Sequence, residues 1–418
     1  MLTEIKDSTA TKAFENLSKI FHNWTTQNIT ESSIALHGDG LASDIMFLTG
    51  IFGVIKDDRI EELMQSKIVQ GISAIQKYNP QTEYIMSTFC SGYTGFALAV
   101  KHLVKSGVIE WDDNLQNFFK DLDETIYLSA MDHLSNKQNF DFLHGGIGNA
   151  IYLIDNIEEG ANQEYIKEIF DKVFKSVIKL NKGITWPYID LSKKGGVKSI
   201  IYNSSVSHGL SSMIYFLTQM VKKDFPDKNV KGLLNQCLET VFYYSKDNFI
   251  PEKNKNFFID TGRDYEFDFG KRVAWCYGDL GMCSVLYQAA EVLNSVNELK
   301  EKIISICLET TKRKDFEDTF IEDATFCHGA SGVAYIYFKF YKITGRNEFK
   351  EAADYWLKYI LSMAHHEDDA DGYKTWDMVE QKWEKKFGIL DGTAGIGLTL
   401  SAFIKDEPGV WDKVFLLS

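Results

Sequence analysis

Leu143–Leu153 reads LHGGIGNAIYL. A His-Gly pair opens the stretch, a second glycine follows three positions after the first, and an apolar run completes it. Glycine at such a point lets the backbone approach a neighbour closely or take a positive φ. The run behind it is apolar on most sides, as a helix buried in an inner layer should be. The phrase returns as LHGDGLASDIMFL from Leu36, CSGYTGFALAV from Cys90, SHGLSSMIYFL from Ser207, CYGDLGMCSVL from Cys276, CHGASGVAYIY from Cys327 and LDGTAGIGLTL from Leu390. Marked by Gly38, Gly92, Gly145, Gly209, Gly278, Gly329 and Gly392, the copies are spaced 54, 53, 64, 69, 51 and 63 residues apart. The first copy has Leu41 and the fourth Ser212 where the second glycine would fall. Such self-similarity is the mark of a repeat architecture.

Each step has room for two helices. The segments between copies are amphipathic: in QEYIKEIFDKVFKSVIKL from Gln163, residues Tyr165, Ile166, Ile169, Phe170, Val173 and Phe174 form an apolar stripe at helical spacing. The unit is therefore an outer helix, a loop, a Gly-rich turn and an inner helix, seven times over. The inner runs are too apolar to face water, which favours closure into a ring over an open solenoid. The expected fold is all-α, a seven-fold double-layered α/α barrel with the Gly-rich turns at one end. It spans 1–418 as a single domain, with small loop insertions near 184–205 and 248–271 that could form a lid or a peptide-binding rim.

Composition narrows the function. Among 418 residues, 44% are hydrophobic and 25% charged, an ordinary composition for a chain with a sizeable core. Five prolines leave long helices uninterrupted. A net charge of −14 argues against nucleic acid, which calls for a basic face. Six cysteines in this length do not make a disulfide framework. The N-terminal stretch lacks the apolar core of a signal peptide, and no run is long enough to span a membrane. A cytoplasmic chain with reduced thiols is expected.

Alignment on the first glycine gives the chemistry. Immediately before it stand His37, Ser91, His144, His208, Tyr277, His328 and Asp391, and one position earlier Leu36, Cys90, Leu143, Ser207, Cys276, Cys327 and Leu390. Four of the nine histidines share one column. Cys276 and Cys327 hold the same register in consecutive repeats, which are neighbours in a ring, and His328 is adjacent. Two thiolates and an imidazole suit tetrahedral zinc with the fourth position open, the catalytic pattern. A redox cysteine pair is the alternative, although His328 makes metal the simpler reading. Cys90, Cys237, Cys283 and Cys307 read as core residues, His37 and His144 as turn or core residues, and HHEDDADG from His365 as a solvated loop.

At these residues the chain resembles the lanthionine synthetase C-like family, the zinc-dependent lanthipeptide cyclases. RVAWCYGDLG from Arg272, CHGASG from Cys327, SHGLSS from Ser207 and LDGTAGIGL from Leu390 match the family's signatures in order. The resemblance implies one zinc per chain on Cys276, Cys327 and His328, acid/base work by His208, and support from Asp141, Arg272 and Tyr277. Leu280 replaces the family's usual proline, and His144 stands where some relatives carry glutamate. The implied substrate is a dehydrated precursor peptide, whose cysteines add to dehydroalanine or dehydrobutyrine. A dehydratase and an exporter are the implied partners, in a complex that could lie at the membrane. Another zinc-dependent thiol-alkylating transferase and a non-catalytic docking subunit are the alternatives.

Overall fold

A computed structural model describes residues 8–26, 33–77, 87–110, 112–156, 162–190, 197–199, 203–245, 272–293, 297–378 and 380–418. In chain order the helices are α1 (Ser8–Thr26), α2 (Leu41–Ile51), α3 (Arg59–Gln76), α4 (Tyr93–Lys105), α5 (Asp113–Asp132), α6 (Gly146–Asp155), α7 (Asn162–Lys175), α8 (Leu210–Lys222), α9 (Asn229–Tyr243), α10 (Asp279–Val292), α11 (Asn297–Thr310), the short α12 (Phe316–Thr319), α13 (Ala330–Thr344), α14 (Asn347–Ser362) and α15 (Thr393–Lys405). Three antiparallel pairs join β1 (Ile178–Lys179) to β2 (Ile184–Thr185), β3 (Tyr188–Asp190) to β4 (Val197–Ser199), and β5 (Thr375–Asp377) to β6 (Lys382–Glu384). Within 184–205, where an insertion was expected, lie β2, β3 and β4, with β1 just before it; the stretch 248–271 lies outside the described residues.

Seven helices start directly behind a glycine of the repeat: α2, α4, α6, α8, α10, α13 and α15. These are the apolar runs, and α6 is buried along its whole length. The helices between them bury one stripe only. In α14 it is Phe349, Ala352, Ala353, Trp356, Leu357 and Ile360, at the spacing of one helix face. In α7 the expected stripe holds at Ile166, Ile169, Phe170 and Val173, while Phe174, in the last turn, stays 44% exposed.

The second glycine of the repeat has a steric cause. A Cβ on Gly148, Gly281 or Gly395 would lie 2.2, 2.0 or 2.1 Å from the carbonyl oxygen of Phe142, Trp275 or Ile389, six residues earlier. In these three copies the buried helix thus sits on the backbone of its own turn. In the first copy the register departs from the alignment on Gly38. The helix starts behind Gly40, because it is Gly40 whose Cβ would come within 2.5 Å of the Ala35 backbone nitrogen, whereas Gly38 has room for one.

The chain divides into two compact units, one of residues 1–86, 90–111 and 321–414, the other of 87–89, 112–320 and 415–418. In the first, the buried helices pack in the order α4, α2, α15, α13, with α3 against α2, α1 against α15 and α14 against α13. Their turns are linked by backbone bonds: Leu36 and His37 N–H donate to Cys90 O, Leu390 N–H to His37 O, and Cys327 N–H to Leu390 O at 2.9–3.1 Å. The first and last helices thereby belong to one packed layer pair. In the second unit the buried order is α6, α8, α10, covered by α5 and α7, by α9 and by α11, and Val206 N–H donates to Cys276 O at 3.1 Å.

HHEDDADG is not a fully solvated loop. Asp371 is buried, and the Lys385 ammonium donates to Asp369 Oδ1 and to both Asp371 oxygens at 2.7 Å. Asn23 of α1 donates to the same carboxylates. The run therefore ties α1 to the chain behind β6. Among the described residues no helix is long and apolar enough to cross a membrane.

Candidate active site

The residue directly before the helix-starting glycine is half-buried in six copies: Ser91, His144, His208, Tyr277, His328 and Asp391. In the first copy that place belongs to Asp39, which is exposed. His37, expected in the column, sits two residues further back, is buried, and its Nε2 lies 3.0 Å from Val414 O. The shifted helix start removes it from the row of side chains that the turns present.

In the second unit three successive turns assemble a cluster. Asp141, four residues before Gly145, is buried. Its Oδ1 accepts the His144 backbone N–H at 2.7 Å, and its Oδ2 lies 2.7 Å from His208 Nδ1. The His208 ring lies 5.9 Å from that of His144 at 22°, and 6.4 Å from that of Tyr277 at 39°. His144 was read from sequence as a turn or core residue; it is at a turn, but its ring faces His208. Cys276 is buried on the turn that also carries Tyr277, and Ser207 Oγ contacts its carbonyl at 3.5 Å. Arg272 is buried at the start of the same turn. Gly278, which ends it, has φ of 109°, a conformation that suits glycine.

Electrostatics separate the two imidazoles. Burial pushes His208 down, but the Asp141 charge and hydrogen bond, with a thiolate at Cys276 adding to them, hold it above the ordinary histidine value. Burial would raise Asp141; the His208 charge and hydrogen bond hold it below the usual carboxylate value instead. His144 is pushed down by burial, with the charge on His208 adding to the effect and Asp141 opposing it. With its Nδ1–H on Asp141, His208 keeps Nε2 for proton transfer. Two groups with values driven apart, one carboxylate and one imidazole, form an acid/base pair.

In the first unit, Cys327 and His328 stand on the turn before α13, both half-buried. The turn is built by Asp323, whose Oδ1 accepts Thr325 N–H and hydroxyl and whose Oδ2 accepts Trp376 N–H from β5. Asn139 and Asn203 do the same six residues before their glycines, accepting the N–H of Asp141 and Ser205. This side chain, Asn or Asp at one fixed offset in three copies, is a loop-closing element that sequence reasoning missed although its spacing was visible. Cys90 is buried on the turn before α4, and Cys237, Cys283 and Cys307 are buried within α9, α10 and α11, as expected for core thiols. The donors Cys276, Cys327 and His328 are chemically a zinc set, two thiols and one imidazole.

A family model described as lanthionine synthetase C-like protein matches residues 37–416, and the chain belongs to that family. Among solved structures it is similar to one titled "Nisin cyclase", with 18% identity, a TM-score of 0.68, and coverage of 96% of this chain and 97% of that one. That likeness shows the fold expected from the repeats, an all-α α/α barrel. A sugar epimerase from a ruminal bacterium (12% identity, TM-score 0.46, coverage 95% and 98%) and a cellobiose 2-epimerase from Bacillus thermoamylovorans B4167 (10%, 0.48, 94% and 99%) are more distant and bear on neither fold nor chemistry. The family is commonly zinc-binding.

Proposed function

We propose that the chain is a lanthipeptide cyclase. It adds peptide cysteine thiols intramolecularly to dehydroalanine or dehydrobutyrine, closing lanthionine and methyllanthionine rings, with one zinc held by Cys276, Cys327 and His328. The observation that carries this reading is the Asp141–His208 pair beside Cys276, in a chain of this family. When bound, zinc would lower the pKa of a substrate thiol and present its sulfur as a nucleophile.

The remaining steps fall to the chain's own side chains. His208 Nε2 accepts the thiol proton while Asp141 stabilises the imidazolium. The sulfur bonds to the β-carbon, and the displaced π pair gives an enolate. His208 then returns its proton to the α-carbon, so that the product has the mass of the substrate. Arg272, a buried cation on the Cys276 turn, stabilises the enolate charge, and Tyr277 borders the imidazole that moves the proton. On this reading the substrate reaches the enzyme already dehydrated by a separate dehydratase, and an exporter takes the product. The chain would work as one domain in the cytoplasm, at the membrane only through that assembly.

The test is zinc content by elemental analysis together with cyclisation of a dehydrated peptide, read as loss of free thiol at constant mass. About one zinc per chain is expected in the wild type and none in Cys327→Ala. His208→Ala should keep the metal and lose cyclisation. A product heavier than its substrate would point to a transferase, and zinc retained by Cys327→Ala would refute the ligand set.

A further inference from the structure

We propose that His144 is a positioning residue for His208: its ring is a flat wall that fixes the plane of the His208 imidazole. The inference rests on the reading of His208 as the proton carrier and deepens it. The outer torsion of a histidine side chain is soft, with broad wells, so one hydrogen bond at Nδ1 leaves the ring free to tilt. Three restraints close on it here. Asp141 Oδ2 holds Nδ1 at 2.7 Å. The His144 ring lies 5.9 Å away at 22°. Tyr277, from the following turn, supplies a second ring at 6.4 Å.

The backbone of His144 is itself fixed from both sides. Its N–H donates to Asp141 Oδ1 at 2.7 Å and its carbonyl accepts Asn139 Nδ2–H at 2.8 Å. One carboxylate therefore sets the place of both imidazoles, one through the main chain and one through the ring. Burial and the neighbouring His208 charge favour the neutral form of His144, which lets it lie against an imidazolium without repulsion. What the position requires is a flat, uncharged ring.

That requirement separates two variants. In His144→Phe the wall is kept; in His144→Leu it is removed at similar bulk. The readout independent of turnover is the ring-proton NMR spectrum of His208, in the zinc-loaded protein with ring-labelled histidine, assigned by loss of the signal in His208→Asn. A stacked neighbour shifts these protons by its ring current. They should lose the ring-current shift in His144→Leu and keep or increase it in His144→Phe, whose phenyl ring carries the larger current. With a dehydrated peptide, kcat should fall about tenfold in the Leu variant with KM nearly unchanged, and the Phe variant should recover it, since loss of alignment acts on the chemical step. Far-UV circular dichroism and zinc content verify that both variants are folded. Unmoved His208 signals in His144→Leu, a Phe variant that behaves like the Leu variant, or wild-type kcat in His144→Leu would each overturn the proposal. Failure of the wild type to cyclise any dehydrated peptide would refute the cyclase reading instead, and the NMR comparison would still decide whether His144 holds the His208 ring.

Discussion

Replacing Asp141 by Asn changes one interaction and spares its neighbour. The Asn oxygen can still accept the His144 N–H, which Asp141 Oδ1 now takes at 2.7 Å. The amide nitrogen then faces His208 Nδ1 in place of the carboxylate oxygen at 2.7 Å, and two donors meet. The loss is a charge-assisted hydrogen bond between side chains with relative exposures of 24% and 9%, worth about 1.5–3 kcal/mol. At about 1.4 kcal/mol per decade, that is a tenfold to hundredfold loss of the imidazolium at a given pH. The sign follows from the directions already given. Asp141 holds His208 above the ordinary histidine value, so the charged form persists to higher pH in the wild type. In Asp141→Asn the alkaline limb of kcat against pH should move down by about one pH unit or more, with a rate loss at neutral pH of at least about tenfold. The assay is cyclisation of a dehydrated peptide across the pH range, with zinc content measured alongside. An unchanged alkaline limb at full zinc occupancy would refute the assignment of Asp141 as the group that tunes His208.

Two further outcomes test the frame around the site. Lys385→Met leaves Asp371, buried between Lys385 and Asn23, without its cation, and should destabilise the fold by about 3–5 kcal/mol; adding Asp371→Asn should recover part of that, as read by urea unfolding, and a double-variant loss equal to the sum of the two single losses would show that the pair does not couple. Gly281→Ala places a Cβ 2.0 Å from Trp275 O, on the residue before Cys276, so the turn must shift. Zinc content should fall markedly there, whereas Gly232→Ala, at a position with open space on α9, should retain it.

The sequence alone determined the repeat and with it the fold class. The second glycine is legible because at Gly148, Gly281 and Gly395 it has a hard steric cause, a carbonyl oxygen about 2 Å from where a Cβ would be, although the fourth copy carries Ser212 at that place. Helical burial was legible for the same local reason: α14 and α6 show in their residue spacing whether one face or every face is covered. The donors Cys276, Cys327 and His328 were legible as chemistry, from residue type and register. What sequence could not decide was where a helix begins when two glycines compete. Gly38 and Gly40 look equivalent in the sequence, and only the packing of Gly40 on Ala35 takes His37 out of the half-buried position before the helix-starting glycine. Nor could it place side chains against partners far along the chain. Asp371 reads as one acid in a polar run, yet Asn23, 348 residues away, helps to bury it. His144 reads as a turn residue until the next turn, 64 residues on, sets His208 beside it. Local sterics write themselves into sequence because they act between residues close along the chain. Pair chemistry between distant residues exists only once packing has brought them together.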